Sequence, residues 1–284
     1  SFVGRFLAKR ILDPVEEITR AADRITHHDL SSRIDAKDYD EEMKDLVMAF
    51  NDMISRLEKS FKHIEEFSYH VAHELKTPLT IIRGESELAL RKGREIHEYQ
   101  KTIRINAEES ERMLKTVEDL LLLAKLDYQP QTFEFRQIQF NEFINEVYEQ
   151  SKMLAERKNI KVSLNISPEA LVLEGNPLQL RRLFLNLIDN AIKYTSVAGK
   201  IGLEVKREHK NIIVAVSDTG QGMTEEHLSR IFESFYRVDN NGPGNGLGLN
   251  IVQSILKIHQ GDIRVESKVN HGTTFTVILP ASNI

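Results

Sequence analysis

The apolar residues of the N-terminal half recur at steps of three and four. Met43, Leu46, Phe50, Met53 and Leu57 step by 3, 4, 3 and 4, the spacing of a coiled-coil seam in which one stripe of a helix faces a partner. The pattern resumes at Ile64, Ser68, Val71, Leu75 and Pro78, with steps of 4, 3, 4 and 3. Between the two stretches Phe61 follows Leu57 by four, directly after another step of four. Two consecutive fours form a stutter, which locally unwinds a supercoil. One helix is therefore predicted over about residues 40–92. Its first turn, Asp40-Glu41-Glu42, is acidic as helix N-termini prefer. Its phase changes near 57–61, where a signal could be stored as a small rotation.

Gly93 ends that helix, and a second is predicted over about residues 95–126. Its seam is Ile103, Ala107, Ser110, Leu114, Val117, Leu121 and Ala124. Two heptad helices joined by a short turn make a hairpin. A lone hairpin cannot bury both seams, whereas two copies can as a four-helix bundle, so a homodimer is expected. Asp127-Tyr128-Gln129-Pro130 reads as a linker.

Upstream, residues 5–25 form a helix candidate containing Pro14. Polar, turn-prone residues follow, among them His27-His28-Asp29, Ser31-Ser32 and Asp38. Helix, extended connector and parallel second helix resemble the HAMP signal-relay module, whose recurring positions match Pro14, Glu16, Glu41 to Leu46 and Asn51. At the very start Ser1-Phe2-Val3-Gly4 meets Arg5, and Phe6-Leu7-Ala8 meets Lys9-Arg10. That reads as the cytoplasmic end of a missing N-terminal transmembrane segment with its flanking positive charge; the alternative is an ordinary amphipathic helix start. No apolar run here approaches the roughly 20 residues needed to span a bilayer.

Composition excludes several classes. With 38 basic and 43 acidic residues among 284 the formal net charge is −5. There is no basic stripe, so no nucleic acid partner is expected. The absence of cysteine rules out disulfides and thiolate metal sites.

From about residue 131 the period changes. Phe133-Glu134-Phe135 alternates as a strand, and Asn141 is a candidate cap for a helix to about 158. Ile160 to Ile166 alternates again, and Asn176-Pro177 opens a helix to Tyr194. Strands are predicted over 200–206 and 212–217, a helix over 247–259, and final strands over 262–267 and 273–279. Helices and strands in this order suggest an α/β sandwich with helices on one sheet face.

Candidate chemistry sits in two places. On the long helix, His73 is two residues from each of the seam residues Val71 and Leu75, which turns it toward solvent. Thr77 lies one turn further along on the same face. Pro78 removes the hydrogen bond to the carbonyl of Glu74 and is expected to bend and interrupt the helix there. Free imidazole titrates at about 6.5, so near neutral pH this side-chain type is a nucleophile. A carboxylate at Nδ1, offered by Glu74, would fix the tautomer that leaves Nε2 free. A solvated surface histidine is the bland alternative. A zinc site is the other, but His70-Val71-Ala72-His73-Glu74 has neither the H-E-x-x-H nor the H-x-x-E-H order.

In the C-terminal half, Asn186 and Asn190 are i, i+4 on one helix face, and Lys193 follows. Neutral carbonyl oxygens suit Mg²⁺, which shares substrate phosphates and keeps waters. Asp218-Thr219-Gly220-Gln221-Gly222 follows a strand; its carboxylate could accept from an adenine amino group. Gly242-Pro243-Gly244-Asn245-Gly246-Leu247-Gly248-Leu249 opens a helix, a natural phosphate seat. Neither G-x-G-x-x-G nor G-x-x-x-x-G-K-[ST] occurs, so Rossmann and P-loop sites are not supported.

Phe67-Ser68-Tyr69-His70-Val71-Ala72-His73-Glu74-Leu75-Lys76-Thr77-Pro78-Leu79 resembles the phosphoacceptor box of sensor histidine kinases of two-component systems. The asparagine helix, Asp218-x-Gly-x-Gly, Ile231 to Arg237, Gly244 to Gly248 and Gly272-Thr273-Thr274-Phe275 are similar, in order, to that family's N, G1, F, G2 and G3 boxes. The resemblance implies a multidomain chain. An all-α coiled-coil HAMP domain spans 1–58, a helical-hairpin dimerisation and phosphotransfer domain 59–128, and an α/β ATP-binding sandwich of the gyrase/histidine-kinase type 129–284. It implies ATP-dependent phosphorylation of His73 assisted by Glu74, transfer to an aspartate of a response regulator, and a regulator phosphatase activity in which Thr77 positions water. It assigns Mg²⁺ to Asn190 and Asn186, phosphate to Lys193 and Tyr194, adenine to Asp218, and further nucleotide contacts to Gly220, Gly222, Arg237, Gly244, Gly246, Leu247, Gly248 and Thr273, with 232–246 as a mobile lid. The chain would then be the cytoplasmic part of an inner-membrane sensor. The 4–10 entry and Arg83-Gly84-Glu85 resemble the heavy-metal-sensor branch. The rivals are a gyrase-like ATPase without a covalent intermediate and a non-enzymatic dimeric scaffold.

Overall fold

A computed structural model describes Glu16, Thr19, residues 33–35, 41–91, 93, 95–239 and 244–282. The predicted helix at 5–25 with Pro14, the 27–32 stretch, Asp38 and the membrane-proximal entry lie outside the described residues, except that Glu16 and Thr19 are helical. The chain forms two units whose boundary falls between His73 and Glu74, within one continuous helix.

That helix, α1, spans Glu41–Arg91. It runs through Pro78 without interruption, contrary to the expected break. Proline removes one bond of the ladder, and intact turns on both sides of Pro78 keep the helix going. In the first unit the connector residue Ile34 is buried. Asn51 grips it at both main-chain groups: its Oδ1 accepts from Ile34 N–H at 3.1 Å, and its Nδ2 donates to Ile34 O at 2.9 Å. Val47 and Ile54, on either side of Asn51, are buried too. The seam residues Leu46, Met53 and Leu57 are exposed. This part of α1 therefore carries two apolar stripes, one buried within the unit and one open to a partner helix.

In the second unit the end of α1 forms a hairpin with α2, Ile96–Tyr128. Asn106 Nδ2 donates to Ser86 Oγ at 3.1 Å. Helix α2 keeps Asp127 and Tyr128 of the expected linker, and the chain turns at Pro130–Thr132. Strand β1 is Arg136–Gln139, so Phe133 to Phe135 precede it rather than form it. The Phe135 ring instead stacks on His259, centroids 4.7 Å apart. Helix α3, Phe140–Glu156, begins before Asn141. Asn141 does not cap it; its Oδ1 accepts from Leu171 N–H at 2.8 Å, and its Nδ2 donates to Glu169 O. Tertiary partners displaced the local ones in both cases.

Strands β2 (Lys161–Ile166), β4 (Lys200–Glu208), β5 (Asn211–Asp218), β6 (Asp262–Lys268) and β7 (Gly272–Pro280) form one sheet in the order β2-β4-β5-β7-β6. Only the β2–β4 pair of this sheet is parallel. Strand β3, Val172–Gly175, pairs antiparallel with β1 in a small separate sheet. Alternate residues of β4 (Ile201, Leu203, Val205) and β7 (Phe275, Val277, Leu279) are buried; α3, α4 (Pro177–Tyr194) and, after the short α5 (Glu225–Leu228), α6 (Gly248–Ile258) cover that face. On α4, Leu180, Leu183, Phe184, Leu187 and Ile188 are fully buried, each contributing about 1.5–3 kcal/mol relative to exposure. Asn176 caps the same helix by accepting from Gln179 N–H at 3.0 Å, a contribution of only about 1 kcal/mol. Core packing thus sets the rotation of α4, and with it the face presented by Asn186 and Asn190.

Candidate active site

A pocket opens above α4 in the second unit. Asn186, Asn190, Lys193 and Tyr194 line its floor. Asn186 Nδ2 donates to Gly248 O at 3.3 Å, tying α4 to the start of α6. Lys193 Nζ lies 4.7 Å above the Tyr194 ring. Lys158 Nζ donates to the carbonyls of Ile192 and Lys193 at 2.8 and 3.0 Å, placing a cation where the helix carries partial negative charge.

At one end Asp218 closes β5. Burial pushes its carboxyl above the usual carboxylate range, opposed by hydrogen bonds from the backbone N–H groups of Gly220 and Thr273. The Gly220 contact is 2.7 Å. Gly222 has φ +64°, and a Cβ there would fall 2.0 Å from Lys268 O. Asp218, Gly222 and Thr273 line the pocket, with apolar walls from Met223, Ile231 and Phe275. A carboxylate beside apolar walls is chemically suited to a nucleobase with an amino group. Gly220 is not a lining residue; it shapes the turn by giving its N–H to Asp218.

At the other end Gly244, Asn245, Gly246 and Gly248 line the pocket, together with Arg237. Phe235 N–H donates to Gly246 O at 3.0 Å, and a Cβ at Gly246 (φ +71°) would sit 2.6–2.8 Å from Phe235 backbone. Only glycine fits there. Leu247 is fully buried, so it anchors the loop in the core and makes no pocket wall, contrary to the expectation of a ligand contact. Gly242 and Pro243 lie outside the described residues. Backbone amides at the start of α6, with Lys193 and Arg237 nearby, suit phosphate. Among the described residues there is no cluster of three His, Asp or Glu side chains able to hold a metal. A divalent cation here would depend on amide oxygens and substrate phosphates, which fits Mg²⁺ and the asparagine pair.

The phosphoacceptor candidates stand on α1. His73 and Thr77 are exposed and Glu74 is half-buried. The Tyr69 and His73 rings are 6.4 Å apart. Sequence reasoning assigned no pocket role to several lining residues, among them Met223 and, on a separate helix, Lys115 and Asp119 of α2. Periodicity placed both off the seam, but nothing local pointed to a nucleotide.

Three family models match in sequence order. They are the HAMP domain over residues 6–59, the His Kinase A (phospho-acceptor) domain over 63–129, and the histidine kinase-, DNA gyrase B- and HSP90-like ATPase over 175–283. In these matches the chain is similar to the histidine kinases. The phospho-acceptor match contains His73, Glu74 and Thr77, and the ATPase match contains every proposed nucleotide residue from Asn186 to Thr273. The sensor histidine kinase CusS of Escherichia coli K12 is 35% identical over 272 residues, 94% of this chain and 56% of that protein. The histidine-protein kinase ArlS of Staphylococcus aureus USA300 is 33% identical over 281 residues, 97% of this chain and 62% of that protein. The chain thus spans somewhat over half the length of these relatives. Among solved structures, histidine kinase ThkA in complex with response regulator protein TrrA aligns with TM-score 0.65 and 26% identity, covering 79% of this chain and 64% of that one. Histidine kinase AdeS of Acinetobacter baumannii aligns with TM-score 0.60 at 22% identity over 74% of this chain and 98% of that one, sharing the fold.

Proposed function

We propose that the chain catalyses ATP-dependent phosphorylation of His73 and passes the phosphoryl group to an aspartate of a response regulator. The observation that carries this is the pocket itself. It gathers Asp218, Asn190, Lys193 and the Gly244–Gly248 loop, scattered in sequence, around one cavity in the segment that matches the ATPase model. Asp218 and Gly222 take the base, and Lys193, Tyr194, Arg237 and the loop amides take the phosphates. Asn190 and Asn186 would hold Mg²⁺, which neutralises phosphate charge when bound. Nε2 of His73 attacks the γ-phosphorus in line, forming the N–P bond as the bond to the ADP oxygen breaks. Glu74 keeps the Nδ1 proton in place. In a separate reaction Thr77 positions a water that attacks the phosphorus of the regulator's aspartyl phosphate, breaking the bond to the aspartate oxygen and releasing inorganic phosphate.

The division into 1–58, 59–128 and 129–284 belongs to the same proposal. So do a homodimer and attachment to the inner membrane with this chain on the cytoplasmic side. The HAMP match supports the membrane role, although no helix among the described residues is long and apolar enough to cross a membrane. The response-regulator partner is supported by the ThkA complex, and the heavy-metal-sensor branch by the likeness to CusS.

Incubation with γ-labelled ATP tests the reading. The wild type should yield acid-labile, alkali-stable phosphoprotein. His73→Gln should abolish labelling while ATP still binds, and Asn190→Ala should lose both. Persistent labelling of His73→Gln would sink the assignment, and hydrolysis without phosphoprotein would favour a gyrase-like ATPase.

A further inference from the structure

Helix α2 supplies a wall of the pocket. Lys115 and Asp119, one turn apart, both line it. Asp119 is only 5% exposed, and both carboxylate oxygens are engaged. Oδ1 accepts from Arg182 Nη2 of α4, and Oδ2 accepts from Asn245 Nδ2 at 2.9 Å. Asn245 is the residue between Gly244 and Gly246, and its own Oδ1 accepts from Leu247 N–H at 3.2 Å. One side chain therefore ties the glycine loop to itself and to α2. Both flanking glycines have positive φ, +110° and +71°, conformations that glycine adopts readily, and Asn245 between them is held from outside the loop by Asp119. Arg182 neutralises the Asp119 charge, so this anchor does not oppose an anion, and Lys115 adds a cation to the same wall.

We propose that Asp119 is a positioning residue for ATP. Through Asn245 it holds the Gly244–Gly248 loop in the form that receives the phosphates, so the nucleotide site is completed by the helical hairpin. Docking of α2 and binding of the triphosphate then favour each other, a coupling that is reciprocal. The inference rests on the reading of the pocket as an ATP site. It adds that a residue of the phosphoacceptor hairpin sets triphosphate affinity before any transfer occurs.

The test is competition of ATP and of AMP against a fluorescent ATP analogue, using the full chain. Failure of the wild type to bind ATP would overturn the reading of the pocket itself. If it binds, Asp119→Ala and Asn245→Ala should each weaken ATP about fivefold or more and change AMP less than about twofold, because only the phosphate end is disturbed. The double variant should be no weaker than the weaker single one, since the two side chains act as a unit. Asn245→Ala leaves the Arg182–Asp119 pair intact, so its result stands even if Asp119→Ala folds poorly. Unchanged ATP affinity in Asn245→Ala, equal losses for ATP and AMP, or tighter ATP binding would each overturn the proposal.

Discussion

The ring of His259 lies between two backbone groups of opposite kind. Its Nε2 accepts from Asn176 N–H at 3.0 Å, and its Nδ1 faces Ile255 O at 2.8 Å. Only the neutral tautomer protonated at Nδ1 satisfies both. Burial pushes its pKa below the ordinary value, opposed by the Ile255 hydrogen bond. The folded state therefore binds fewer protons than the unfolded chain once pH falls below about 6.5, and stability falls with it until the folded-state pKa is passed. Urea unfolding of the wild type should show a midpoint that drops between pH 7 and 5.5. His259→Gln, which can still accept from Asn176, should flatten that dependence; an unchanged slope would remove His259 as its source. His259 is 83 residues from Asn176, and no local pattern marked it. Asn176 was legible, because a cap followed by proline is a local signal, as were the glycines of the loop. Asn141 was misread as a cap, because Leu171 and Glu169 offer it better-placed partners than its own helix does.

At the scale of elements, α4 is the piece whose placement the nucleotide site depends on. Its N-terminus is held by the Asn176 side chain, which accepts from Gln179 N–H and donates to Glu134 O at 2.9 Å. Asn176→Ala should cost about 1–2 kcal/mol in urea unfolding while leaving the pocket residues Asn190 and Lys193 in register, because five buried side chains fix the helix rotation. A loss of ATP binding with little loss of stability would contradict that division of labour. Helix α1 was predicted over 40–92 and is Glu41–Arg91. Its length was legible because heptads repeat many times over. Strand β3 was not predicted, being four residues long and fixed by pairing with β1.

For the molecule as a whole the α2 seam is the feature that governs assembly. Ile103, Leu114 and Leu121 are 67%, 53% and 59% exposed in the single chain, and Ala107, Ser110, Val117 and Ala124 are exposed as well. The predicted seam is therefore unpartnered along its whole length, the surface expected to be buried in a homodimer. Leu114→Glu with Leu121→Glu should convert a dimer to a monomer by light scattering after size exclusion, with ATP binding retained in the second unit. A dimer that survives both charges would place the interface elsewhere.

Features that repeat or stay local were legible along the chain. The heptads specified the helices and the seam, and the order of the glycine and asparagine boxes specified a nucleotide domain. The segment from Phe67 to Leu79 specified the phosphoacceptor candidate. Which residues far apart share one site follows from the packing. Asp119 meets Arg182 and Asn245 across 63 and 126 residues, and Leu247 is turned into the core while its glycine neighbours line the pocket. Such contacts depend on how sheet, helices and hairpin pack, and packing is a property of the folded whole that no short window of sequence encodes.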